Sequence, residues 1–195
     1  MLAARKLKVL DPLPEKRVLV FKAERDVTGV IAAPGEPGDP TFGGGALVLR
    51  NPDTAETASF VLPASGWKGL GVPAGTTGYL YSDAEHANGP CSKIKLQVKN
   101  HRVSFLAKCK GPIGFSLDEA SQGSLEVRLT VGTGARALTF CSRFGGTILQ
   151  DNPANPAVVD NEVDDFSLAQ MKICGRFERP AHFRAITHAI RLRPR

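Results

Sequence analysis

The chain has no run of apolar residues approaching the roughly 18 that a membrane-spanning helix needs, and helical hydrophobic periodicity is almost missing from its 195 residues. Its four cysteines contain no Cys-x-x-Cys pair, which excludes zinc-ribbon spacing and thioredoxin-like chemistry. Neither Gly-x-Ser-x-Gly nor His-Glu-x-x-His occurs, and the triple glycine Gly43-Gly44-Gly45 lacks the lysine and Ser/Thr of a phosphate-binding loop. Among the aromatics, which make up 7% of the chain, there are one tryptophan and two tyrosines beside ten phenylalanines. Residues 1–6 are mildly basic but have no apolar core before Asp11-Pro12, so they do not read as a signal peptide; an export signal would lie upstream or have been removed.

What is present is period-two alternation between turn residues. Lys6–Asp11 and Arg17–Lys22 read as two strands around Pro12 and Pro14. Residues 32–45, rich in proline and glycine, read as an exposed loop or a linker. Ala46–Arg50 and Ala58–Leu62 form a hairpin pattern, and Gly78–Ser82 reads as a strand with Tyr79 and Tyr81 on one face. Trp67, flanked by Gly66 and Gly69, reads as a core plug over which backbone packs closely. The clearest element is Ser92–Cys109, where a two-residue turn at Asn100-His101 would set Val98 against Val103, Leu96 against Phe105 and Ile94 against Ala107. That register leaves Cys109 opposite Ser92, so a bulge near Gly89-Pro90 is needed to bring Cys91 level. Strands are further expected over 125–131, 136–144 and 171–177, and a helix over 182–192.

The pattern predicts an all-β fold, an antiparallel β-sandwich or Greek-key barrel, stabilised by two disulfides. Of the three connectivities open to four cysteines, Cys91–Cys109 and Cys141–Cys174 are preferred, because the first pair brackets the hairpin. Residues 1–178 form the β-rich domain, a subdivision near residue 73 being the alternative, and 179–195 form a basic tail, disordered or a short helix. That tail holds Arg179, Arg184, Arg191, Arg193 and Arg195 with no acid, so five of the six net positive charges sit there.

Candidate chemistry is thin. Asp83, Glu85 and His86 cluster in one loop with a single nitrogen ligand among them, which suits a solvated turn better than a catalytic metal. Asp151, Asp160, Glu162, Asp164 and Asp165 crowd a loop with no Lys or Arg; hard oxygen ligands of this kind suit calcium, although the spacing is not that of an EF-hand. His86, His101, His182 and His188 supply no recognisable triad, and Asp118-Glu119 would point to opposite faces of a strand. A ligand surface is expected from Lys93, Lys95, Lys99 and Arg102, extended by Lys108 and Lys110, with no acid between Cys91 and Gly111. Edge-strand protection by lysine is the bland explanation of that strip. Trp67, Tyr79 and Tyr81 would either stack on sugar rings or pack in the core.

Across 51–150 the pieces Trp67-Lys68-Gly69-Leu70-Gly71, Gly78-Tyr79-Leu80-Tyr81, Gly89-Pro90-Cys91, Cys109-Lys110-Gly111, Gly114-Phe115-Ser116-Leu117-Asp118-Glu119 and Cys141-Ser142-Arg143-Phe144-Gly145-Gly146-Thr147 together resemble an uncharacterised β-rich module of secreted or cell-envelope proteins from environmental bacteria. The resemblance covers about half the chain and implies export and paired cysteines; the arginine-rich tail departs from it. It carries no activity, cofactor or catalytic residue. The expected function is therefore a non-catalytic structural or interaction module, extracellular or in the cell envelope, with no cofactor and with a polysaccharide or another envelope protein as partner; nucleic acid is disfavoured. A carbohydrate-binding module is the first alternative, and a hydrolase with a loop-assembled site the second.

Overall fold

Alternation of apolar and polar residues over short segments bounded by Gly, Pro and Asn is what a pleated strand with one buried face requires. The computed structural model describes residues 3–11, 13–26, 31–100, 102–117, 123–145 and 159–162. Its strands are β1 (Ala3–Leu10), β2 (Arg17–Asp26), β3 (Gly45–Arg50), β4 (Thr57–Leu62), β5 (Trp67–Leu70), β6 (Gly78–Ser82), β7 (Cys91–Lys99), β8 (Arg102–Gly111), β9 (Leu125–Val131), β10 (Leu138–Phe144) and β11 (Val159–Glu162). A single helical turn, α1 (Pro40–Gly43), precedes β3.

All strand pairs are antiparallel, and they form two sheets. The larger has the order β11-β1-β2-β8-β7-β6-β5 and the smaller β10-β9-β3-β4. Both take strands from either side of residue 73. One apolar core lies between them. Phe21 on β2 spans it, its ring 4.6 Å from Phe105 in its own sheet and 5.5 Å from Phe144 of the smaller sheet. A register row runs Leu7, Phe21, Ala107, Ile94, Tyr81, Trp67 across the larger sheet, all facing this core and all buried.

The β7–β8 hairpin has the expected register, with Ile94 opposite Ala107, Leu96 opposite Phe105 and Val98 opposite Val103. The bulge lies at Ser92 rather than at Gly89-Pro90. With one extra residue there, Cys91 faces inward opposite Cys109 while Lys93 faces outward opposite Lys108; unbroken alternation would have put 91 and 93 on the same face.

The fold-class expectation needs correction in two respects. Neither sheet closes on itself among the described residues, so the barrel is excluded. In place of two bridges, the described residues show one disulfide, Cys91–Cys109; Cys141 is not a free thiol, and Cys174 lies outside the described residues. Three local expectations also change. Trp67 opens a strand, β5, hidden in the sequence by its glycines. The stretch 32–45 is no linker, since Gly38, Asp39 and Pro40 are buried there. Residues 159–162, counted with an acidic loop, form edge strand β11, held by antiparallel pairing with β1. Thr147–Gln150, Met171–Phe177, the helix over 182–192 and the basic tail fall outside the described residues.

Candidate ligand-binding face

Side chains that alternate with the core row of the larger sheet point away from the smaller sheet, and there the lysines collect. One register row reads Glu162 on β11, Lys6, Lys22, Leu106, Lys95, Leu80 and Lys68 on β5. The next reads Asp160, Lys8, Val20, Lys108, Lys93 and Ser82. Lys6, Lys22, Lys68, Lys93 and Lys108 are exposed, and Lys8 and Lys95 are half-buried. Lys110 flanks these rows at one end and Lys99 and Arg102 at the other, all three exposed. The strip read from the hairpin alone is thus the middle of a wider basic face. Beyond β1 the sheet continues into β11, where Glu162 and Asp160 hold the register positions opposite Lys6 and Lys8. Sequence reasoning missed Lys6, Lys8, Lys22 and Lys68, because their alignment with the hairpin depends on long-range pairing that no local pattern encodes.

The tyrosines and the tryptophan lie on the other side of the same sheet. Trp67, Tyr79 and Tyr81 are 6%, 1% and 1% exposed, so they have no ring face to offer a sugar. Trp67 Nε1 donates to Leu62 O at 3.2 Å, and its ring lies 5.5 Å from that of Tyr81. Gly66 is needed beneath that ring, since a Cβ there would lie 2.3 Å from Tyr81 Cε2. Tyr79 Oη donates to Ala32 O at 3.0 Å, and burial, with the Asp39 carboxylate nearby, pushes its pKa up to about 12.

The Asp83, Glu85, His86 loop is a turn closed by its own aspartate. Asp83 is buried and accepts from the backbone N–H groups of Asn88 at 2.8 Å and Ala87 at 3.0 Å, which hold its carboxyl below the usual aspartate range. Glu85 and His86 are exposed. Of the calcium candidates, Asp160 and Glu162 take the register positions on β11 described above, while Asp151, Asp164 and Asp165 lie outside the described residues, as do Asp118, Glu119, His101, His182 and His188. Among the described residues no group of three or more His, Cys, Asp or Glu could hold a metal ion. Among them too, no helix is long and apolar enough to cross a membrane.

Comparison with family models, curated proteins and solved structures gives no match, so the module resemblance drawn from the sequence has no support beyond the chain's own β-rich, cysteine-containing fold.

Proposed function

We propose that the chain is a non-catalytic interaction module of an exported protein, and that the lysine face of the seven-stranded sheet meets an anionic partner. The observation that carries this reading is the pair Lys93 and Lys108. They sit directly opposite one another on β7 and β8, with Ser82 and Val20 as their other row neighbours, so the register sets no acid beside either. Like charges directly opposed across a pair of strands are destabilising. Edge protection does not account for them, because β2, β8 and β7 are interior strands of the sheet. A solvated face requires polar residues, yet Ser, Thr or Gln would serve without the repulsion. Local rules broken without a compensating structural gain are a mark of functional surfaces.

The test is binding to polyphosphate, a polyanion with neither sugar, base nor lipid. Lys93→Gln/Lys108→Gln is compared with Arg191→Gln/Arg193→Gln, which removes the same charge from the tail. At about 1 kcal/mol per lysine near an anionic surface, the face pair is expected to lose tenfold or more in affinity and the tail pair much less. Equal losses from the two variants, or no binding by the parent, would overturn the assignment.

A further inference from the structure

We infer that the anionic partner is a linear polysaccharide bearing sulfate or carboxylate groups, lying across the strands along the two lysine rows; this rests on the interaction-module reading above. From β1 to β5 the face crosses six strands, a span of about 24 Å at the usual inter-strand spacing, and the two rows lie about 7 Å apart along the strands. The result is a long, shallow band rather than a pocket. Its cations are spaced by carbon: Leu106 and Leu80 separate Lys22, Lys95 and Lys68 in one row, and Val20 separates Lys8 from Lys108 in the other. These three aliphatic side chains are half-buried, as are the neighbouring Lys8 and Lys95. Such a surface offers point charges to pendant anionic groups and apolar contact to the C–H faces of sugar rings between them.

Other polyanions fit less well for stated reasons. Single-stranded nucleic acid binds on aromatic platforms, and the aromatic side chains of β2, β5, β6 and β8 (Phe21, Trp67, Tyr79, Tyr81 and Phe105) are buried on the core side. A duplex is read by a helix or ribbon entering a groove, and two rows across an open sheet supply neither. A lipid surface favours large apolar side chains standing proud of the cations, whereas Leu80, Leu106 and Val20 are half-buried. Both rows hold lysine alone as cation, with no arginine fork for bidentate phosphate recognition.

The experiment measures affinity of the full chain for dextran sulfate, with neutral dextran, polyphosphate, a single-stranded oligonucleotide and phosphatidylserine-containing vesicles alongside, at one ionic strength. Dextran sulfate is expected to bind tightest and neutral dextran not at all. Leu106→Thr, which keeps a good strand former and every charge, is expected to weaken dextran sulfate about threefold, the loss of a modest apolar contact, and to leave polyphosphate unchanged. Tighter or equal binding of polyphosphate, oligonucleotide or vesicles, or a dextran sulfate affinity unmoved by Leu106→Thr, would overturn the polysaccharide assignment and leave the anionic-face reading standing. Failure to bind any polyanion would overturn both.

Discussion

Tyr79 shows how a single polar group is made tolerable in this core. Its ring is buried on β6, and its hydroxyl reaches Ala32 O in the segment before α1, tying that proline- and glycine-rich stretch to the sheet. Removing the hydroxyl leaves a carbonyl without its donor, so Tyr79→Phe is expected to cost about 1–2 kcal/mol in urea unfolding at neutral pH. The ionisation behaviour gives a sharper signature. The folded-state pKa is raised from 10.0 to about 12, so the group stabilises the fold fully below pH 10, and that contribution is lost as pH rises toward 12. The parent should therefore lose stability more steeply than Tyr79→Phe between pH 9.5 and about 11.5, the two curves converging. Parallel curves over that window would show that the hydroxyl ionises alike in folded and unfolded chains. In the sequence Tyr79 and Tyr81 were open to two readings, ring stacking or core, because a period-two pattern says that two residues share a face and not which face is covered.

At the scale of elements, the β7–β8 hairpin was the most legible part of the fold. Alternation on both arms and a short turn determine the register by themselves, and the disulfide between Cys91 and Cys109 then required one irregularity. The position of that bulge was not legible. Ser92 carries no signal for it, and its placement follows from the larger sheet needing Cys91 inside and Lys93 outside at once. Deletion of Ser92 should therefore restore unbroken alternation, with Cys91 still inside opposite Cys109 and Lys93 outside opposite Lys108, and the bridge retained by alkylation and intact mass. Recovery of Cys91 and Cys109 as thiols in that deletion variant would show that Ser92 is not the extra residue of the register. Joint replacement Cys91→Ala/Cys109→Ala removes the cross-link and leaves the bulge in place. It is expected to cost about 2–3 kcal/mol in urea unfolding, the effect of a short loop, with the hairpin itself retained. Strands β5 and β11 were missed for the opposite reason. Glycine punctuates the first and acidic residues the second, and each is held by pairing with a distant partner, Tyr81 opposite Trp67 and Lys8 opposite Asp160.

The whole molecule is asymmetric in a way the net charge conceals. Outside the arginine-rich 179–195 segment the chain sums to nearly neutral, yet sheet pairing gathers the lysines of β1, β2, β5, β7 and β8 onto a single face. Pairing of strands far apart in sequence creates that field, which is why only its central hairpin was visible beforehand. If the face is kept for binding, it should lower stability, and the cost should be electrostatic. Lys108→Glu converts the opposed lysine pair into an opposed pair of unlike charges on an interior strand, with no change in strand propensity large enough to compete. The variant is expected to be more stable than the parent by about 0.5–1 kcal/mol at 10 mM ionic strength, and the difference should shrink near 0.2 M as the screening length falls from about 30 Å to below 10 Å. The same substitution should weaken polyphosphate binding, so that stability and affinity move in opposite directions, as they do where a surface is shaped by a partner rather than by folding. Urea unfolding at the two ionic strengths decides it. A variant that is less stable than the parent, or a gain indifferent to salt, would mean that Lys93 and Lys108 do not repel, and the strongest physical reason for assigning this face a partner would be gone.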